Sequence, residues 1–137
     1  EIAAWAKDQG KTLYDLLMQI YAEYGFSKEF TVNVVRPGKT GADEIKQMMA
    51  DFRANPPQEL GGSKVVTWKD YQSLEAKLQW FCDDNTKVSV RPSGTEPKIK
   101  FYIEVKDPSF KCAGCYNRCT AAAMDKIEAI KKSLKLD

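Results

Sequence analysis

The sequence has 137 residues, of which 43% are hydrophobic and 29% are charged, and this composition excludes a disordered or fibrous chain. Its 21 basic and 19 acidic side chains leave a net charge of +2, so no strong overall field attracts nucleic acid or an anionic membrane. Histidine is absent, which excludes a histidine-dependent triad and a histidine-based zinc site.

The sequence carries no targeting or membrane signal. No apolar run approaches the roughly 20 residues that a spanning helix needs, and residues 1–4 lack the basic start of a signal peptide. We therefore expect a cytoplasmic protein whose four cysteines are reduced thiols. Because Glu1 is not methionine and lies next to a predicted helix, we expect that a preceding part of a longer protein is missing.

Two helices are predicted at the N-terminal end. The first runs from Ile2 to Lys7, and the second covers residues 12–24 with apolar side chains at helical spacing. Thr12 and Asp15 stand in capping-box positions at the start of the second helix, and Gly25 ends it. We predict that residues 1–25 form a helical arm and that residues 26–137 form the main domain.

A strand and a helix follow the arm. Apolar residues alternate over residues 30–34, which predicts a half-buried strand. After a turn, apolar residues at helical spacing predict a helix that Thr40 and Asp43 can cap and that Pro56 and Pro57 end.

The rest of the chain predicts a sheet and a last helix. Strands are expected at residues 64–68, 78–82, 87–91 and 98–106, the last two as a hairpin, and a helix starts near Asn117. Together these elements predict an α+β fold: a mostly antiparallel four- to five-stranded sheet with two helices packed on one face, preceded by the helical arm. The placement of the chain between Tyr71 and Leu78 stays open.

The most informative segment is the loop of that hairpin, residues 91–97. Arg91 offers a planar fork of donors that matches phosphate oxygens, Ser93 and Thr95 add hydroxyl groups, and Gly94 lets backbone N–H groups approach an anion closely. These four residues are candidates for a phosphate site. The alternative is that they are ordinary turn formers beside a solvated strand end.

Neighbouring residues can support such a site. Pro92 and Pro97 restrict the backbone, which lowers the ordering cost of binding. Lys98 and Lys100 lie on one face of the next strand and can extend a positive rim. Glu96 would repel phosphate, so we expect it to tie the loop down instead.

Residues 91–102, RPSGTEPKIKFY, closely resemble the C-terminal signature of the α-D-phosphohexomutase family, the phosphoglucomutase and phosphomannomutase group. The resemblance covers roughly residues 26–137. It implies a TATA-binding-protein-like sheet for this domain and makes residues 1–25 the helical end of the preceding mutase domain.

The resemblance also implies a function. In such an enzyme this domain binds the phosphate of the sugar that is not undergoing transfer, a role that passes here to Arg91, Ser93, Gly94 and Thr95, with Lys98, Lys100 and Glu96 as possible supports. The whole enzyme would be an isomerase that transfers a phosphoryl group within one sugar, using a phosphoserine and Mg²⁺ held outside this chain. We expect no catalytic residue, metal or cofactor in the chain itself.

The implied partners are hexose 1-phosphates and 6-phosphates, their bisphosphorylated intermediate, and the remaining domains of the enzyme. Glucose, mannose, glucosamine and pentose phosphates are not distinguished by this domain, and the oligomeric state stays open. An alternative function is a non-catalytic α+β module that binds RNA or a protein partner, with the loop as a simple turn.

Three cysteines near the C-terminal helix have metal-like spacing. Cys112, Cys115 and Cys119 form C-x2-C-x3-C, but a fourth ligand would have to be Cys82 or a carboxylate. On a helix the three thiols would share one face, so we interpret them as small side chains packed on the sheet. Whether they have any other role stays open.

Overall fold

The computed structural model describes residues 1–72 and 77–136, so the predicted connection between Tyr71 and Leu78 lies largely outside the described residues. The elements in chain order are α1 (Ile2–Asp8), α2 (Leu13–Tyr24), β1 (Phe26–Val35), α3 (Gly41–Ala54), β2 (Glu59–Leu60), β3 (Ser63–Tyr71), β4 (Lys77–Cys82), β5 (Lys87–Pro92), β6 (Lys98–Asp107), a 3-10 turn (Ala113–Cys115) and α4 (Tyr116–Ser133). The predicted α+β class is confirmed.

The strands form one sheet in the order β1-β6-β5-β4-β3-β2, and each pairing from β2 through β6 is antiparallel. The sheet has six strands in the described residues, against the four to five expected, because the two-residue strand β2 pairs with β3. Gly61 and Gly62 make the turn between them with φ angles of 58° and 86°, which suits a type I′ hairpin. So short a strand carries no alternation that a sequence pattern could show.

The described chain divides into two compact units. One contains Glu1–Lys28 and Lys106–Asp125, and the other contains Glu29–Val105 and Lys126–Asp137. The domain division predicted at residue 25 stays a prediction. Within the described residues, no helix is both long and apolar enough to cross a membrane.

The first unit is held by an aromatic cluster. Phe26 stacks on Phe110 with ring centroids 5.7 Å apart, and Tyr21 meets the edge of Phe26 at 4.9 Å. The capping box of α2 is confirmed, since the Thr12 amide donates to the Asp15 carboxylate at 2.9 Å and the Asp15 amide donates to the Thr12 hydroxyl at 3.1 Å. These bonds satisfy two amides that helix geometry leaves unpaired.

The apolar stripe of α2 does not pack in this unit as its spacing suggests. Leu13, Leu17, Ile20 and Tyr24 are exposed, and Met18 is the buried residue of the helix. The unit therefore presents a helical surface with large apolar side chains.

The interpretation of the three cysteines as packed side chains is right for Cys119, which is fully buried, and wrong for the other two. Cys112 is exposed and Cys115 is partly exposed. The reason is that Cys112 has an extended backbone and Cys115 ends the 3-10 turn ahead of α4, so the helical spacing assumed for all three thiols does not apply.

The second unit contains most of the sheet. One face is apolar, and Trp80 and Phe101 on it are fully buried. Phe52 of α3 packs edge-on against these two rings, with centroid distances of 5.2 Å and 6.0 Å. This packing fixes α3 on the apolar face.

Two details of α3 bear on the predictions. The helix ends at Ala54, before Pro56, as expected. The predicted cap by Thr40 is wrong, because Thr40 has helical backbone angles of −90° and −8° and its hydroxyl donates to the Glu44 carboxylate at 3.2 Å. A capping residue needs an extended backbone to turn its side chain onto the first amides.

Candidate functional site

The predicted phosphate loop closes the hairpin between β5 and β6. Arg91 lies directly opposite Lys100 in the register, and Pro92 opposite Ile99 makes the last pair. Side chains of opposed residues lie on the same face of a sheet, so the two cations Arg91 and Lys100 are neighbours. Ile99 is fully buried and anchors the base of the loop.

Backbone hydrogen bonds hold both ends of the loop. The Ser93 amide donates to the Lys98 carbonyl at 2.8 Å, and the Lys98 amide donates to the Glu96 carbonyl at 2.7 Å. The Arg36 amide, just after β1, donates to the Pro97 carbonyl at 2.9 Å. The loop is therefore ordered by the chain itself before any ligand is present.

A close contact at Gly41 keeps α3 next to this loop. A Cβ at position 41 would lie 1.7 Å from the Arg36 carbonyl oxygen and 3.1 Å from the Pro97 Cβ. Real Cβ atoms do not approach other atoms so closely, so only glycine lets the start of α3 reach Arg36 and Pro97. The sequence pattern did not predict that position 41 requires glycine.

The backbone amides at the tip of the loop differ in whether they already donate a hydrogen bond. The amides of Thr95 and Glu96 point to the Ser93 hydroxyl oxygen at 3.4 Å and 3.3 Å, which are long and weak hydrogen bonds. The Gly94 amide makes no hydrogen bond to any described residue. Of the amides proposed to receive an anion, that of Ser93 is engaged, that of Thr95 makes only a long hydrogen bond, and that of Gly94 is available.

These residues line a concave site of about 270 Å³. The four predicted ligands line it together with the predicted support Lys100, the loop residue Pro92 and one residue that was not predicted, Tyr102. None of the described residues that line it is acidic. Lys100 forms no ion pair with any residue in the described ranges. An anion that entered the site would meet the Lys100 ammonium group without competition from a carboxylate of a described residue.

The other two predicted supports lie elsewhere. Lys98 forms an ion pair with Glu96 at 3.0 Å, and neither residue lines the site. Glu96 instead lines a second concavity of about 620 Å³ between the loop and α3. The two lysines on one strand face thus differ in their partners, which spacing alone does not reveal.

The second concavity is a poorer anion site. Its walls include the apolar side chains of Ile45 and Met49, and both of its cations have carboxylate partners. Arg53 binds Asp70 at 3.0 Å, and Lys46 lies 4.0 Å from Asp43. The charges there are already compensated.

A third concavity, of about 340 Å³, continues from Arg91 and Tyr102 along the polar face of the sheet. The Gln79 amide group donates to the Ser89 hydroxyl at 3.0 Å on this face, and Ser89 is buried. Lys87 pairs with Glu104 at 3.2 Å. Alternation in β5 and β6 was the signal that could have assigned these side chains to the same face as Arg91.

Comparison with known families shows which family the chain belongs to. The family model for the phosphoglucomutase/phosphomannomutase C-terminal domain matches residues 32–110, more than half of the chain and all of the loop. The chain belongs to this family. The expected family is thereby confirmed.

Relatives and solved structures agree with the assignment. A phosphoglucomutase of Staphylococcus aureus is 36% identical over 79% of this chain, and one of Staphylococcus haemolyticus is 32% identical over 77% of it. This chain spans 22% of the length of each of these relatives. The open form of the Paramecium phosphoprotein parafusin, a phosphoglucomutase, matches 96% of this chain and 26% of its own with a TM-score of 0.53 at 15% identity, which supports the fold alone.

Proposed function

We propose that this chain is the domain of a phosphosugar mutase that binds the substrate phosphate not undergoing transfer. The observation that carries the proposal is the site lined by Arg91, Lys100 and the loop residues Ser93, Gly94 and Thr95. Two cations, two hydroxyl groups and an available amide surround one concavity there. Charge-assisted hydrogen bonds of this kind are the stronger ones in proteins.

The chemistry of the site explains what it would recognise. The Arg91 guanidinium can donate two parallel N–H bonds to phosphate oxygens, and Lys100 adds a point charge from the opposite strand. A mutase that passes through a bisphosphorylated sugar must present either phosphate to the same site. A loop whose groups recognise only the phosphate, through charge and hydrogen bonds donated to its oxygens, meets that requirement.

The remaining chemistry would lie in other parts of the enzyme. Within residues 1–72 and 77–136 no group of three Cys, Asp or Glu side chains is placed to hold a metal ion. We propose that the phosphoserine and any Mg²⁺ belong to the rest of a protein such as the longer relatives. The isolated chain would bind a phosphosugar and not convert it.

The other proposed partners are the remaining domains of that enzyme. Trp5 and Tyr24 of the first unit are 57% and 78% exposed, although both are large and apolar or aromatic. A further domain covering them would remove this surface from water. Family membership does not favour the alternative of a non-catalytic α+β module that binds RNA or a protein partner. Glucose, mannose, glucosamine and pentose phosphates all carry the phosphate group that the proposed site would bind.

Calorimetric titration of the chain tests the phosphate proposal. Glucose 1-phosphate and glucose 6-phosphate should both bind, and unphosphorylated glucose should not. Arg91→Met should weaken binding by about 10- to 100-fold, the value of one charge-assisted contact. Lys132→Met removes the same charge from an exposed position on α4 and is the matched control, expected to change Kd by less than about twofold.

Two results would contradict the proposal. Equal losses in Arg91→Met and Lys132→Met would show attraction to net charge without a site. Equal binding of glucose and its phosphates would show that the phosphate group is not what the chain recognises.

A further inference from the structure

Cys112 and Cys115 form a thiol pair that the proposed function does not use. Their sulfur atoms lie 3.7 Å apart across the 3-10 turn, and Cys112 is exposed. The pair has no metal-binding partner, since no cluster of three possible ligands occurs in the described residues. Two accessible thiols at this distance are suited to reaction with each other.

We propose that Cys112 and Cys115 are a thiol–disulfide exchange site that a small disulfide of the glutathione class oxidises to an intramolecular disulfide. The site lies in the first unit, and the inference is independent of phosphate binding.

The geometry requires little movement. A disulfide has an S–S distance near 2.05 Å, so the two sulfur atoms must approach by about 1.7 Å. The two intervening residues, Ala113 and Gly114, are small and exposed, and the Cys115 amide already donates to the Cys112 carbonyl at 2.9 Å. The turn thus holds both cysteines on one short closed loop.

The local electrostatics favour Cys115 as the attacking group. Hydrogen bonds from the backbone of Lys111 and Cys112, and then from the Cys112 thiol, lower the pKa of Cys115, and the Arg118 charge acts in the same direction. A larger thiolate fraction speeds attack on a disulfide. Cys82 is the opposite case, because burial raises its pKa to about 11.

The exchange balances in two steps. The Cys115 thiolate attacks one sulfur of glutathione disulfide, forms a mixed disulfide and releases one glutathione thiolate. The Cys112 thiol then loses its proton and its sulfur attacks Cys115, which forms the intramolecular bond and releases the second glutathione thiolate. The protein loses two hydrogens, and glutathione disulfide is reduced to two glutathione molecules.

Mass spectrometry of the full chain in glutathione redox buffers tests the proposal. The wild-type chain should lose the mass of two hydrogen atoms as glutathione disulfide rises, with Cys112 and Cys115 linked in the peptide map. Cys112→Ser should stop at the first step and gain one glutathione on Cys115. Cys119→Ser is the control and should still close the disulfide, because Cys119 is buried and lies 3.9 Å from the Ser109 hydroxyl.

Other outcomes would overturn the inference. A link between Cys115 and Cys119 would assign the reaction to the helix instead of the turn. An unmodified wild-type chain in excess glutathione disulfide would show that the pair is unreactive, and circular dichroism of each variant would establish that its fold is intact.

Discussion

Replacing Asp84 with asparagine perturbs a polar network within the second unit. The Asp84 carboxylate accepts hydrogen bonds from the Ser63 hydroxyl at 2.7 Å, from the Thr86 amide at 3.1 Å and from the Lys126 ammonium group. Ser63 begins β3 and Lys126 belongs to α4, so one carboxylate links the sheet to that helix. We expect Asp84→Asn to weaken this link without removing it.

The size of the effect follows from the bonds that change. A hydrogen bond to a charged group contributes about 1.5–3 kcal/mol and a neutral one about 0.5–1.5 kcal/mol. Asparagine has one acceptor oxygen, which can still accept from Ser63 and Lys126 but without the negative charge, a loss of about 1 kcal/mol. Its NH2 group cannot accept from the Thr86 amide, so that bond is lost at a cost of about 1 kcal/mol. The Asp84 side chain is 37% exposed, so solvent screens part of its charge interaction with Lys126. We expect the free energy of unfolding to fall by about 1–2 kcal/mol at neutral pH.

The pH dependence gives a second readout. Burial raises the pKa of Asp84, but the hydrogen bonds from Lys126, Ser63 and Thr86 outweigh it, and the pKa lies well below its ordinary value. A carboxyl group with a lowered folded pKa stabilises the fold above its unfolded pKa of about 4 and loses that contribution as pH falls through the folded pKa. The difference between wild type and Asp84→Asn should therefore shrink below about pH 4.

Urea unfolding followed by circular dichroism measures both effects. Asp83→Asn is the matched control, because it removes the same charge from the neighbouring exposed side chain, which forms no hydrogen bond or ion pair with a described residue. Equal stability of the two variants at pH 7, or a difference that persists unchanged into acid, would refute the reasoning.

Four glycine substitutions give further predictions. Gly61→Ala should lower the free energy of unfolding in urea by about 2–4 kcal/mol, because its Cβ would lie 2.8 Å from Ile130 at a φ of 58°. Gly62→Ala should lower it by only about 1–2 kcal/mol, since no described atom lies within 4 Å of its Cβ. Equal losses would contradict this packing. Gly41→Ala should prevent the native contact of α3 with Arg36 and lower stability by more than about 3 kcal/mol in the same assay. Gly94→Ala should fold like the wild type, because no described atom lies within 4 Å of its Cβ, yet weaken glucose 1-phosphate binding about tenfold in calorimetry. Unchanged affinity would exclude close approach of phosphate to that amide.

Local patterns predicted much of the fold. The capping box of Thr12 and Asp15 formed because all its partners lie within one turn of chain. The cap at Thr40 failed because its backbone conformation depends on the preceding turn and on Gly41, whose close contact with Arg36 no local pattern encodes. Exposure of Leu17 on α2 was likewise invisible, since spacing shows a stripe but not what covers it.

The sequence predicted which residues form the loop, but not which neighbouring side chains line the site. The segment from Arg91 to Thr95 follows from its residue types and from its resemblance to the family signature. Spacing treats Lys98 and Lys100 alike, and only the folded loop shows that Glu96 takes Lys98. Tyr102 joined the site because it lies opposite Ser89, two residues from Arg91 on the same strand face, which requires the hairpin to be closed.

Amide chemical shifts measured while glucose 1-phosphate is added to the isotopically labelled chain test the central claim most directly. The account predicts the largest shifts at Gly94 and Thr95, saturating together and absent when glucose is added instead. Silent amides at the loop, or larger shifts at residues 41–53 of α3, would contradict it.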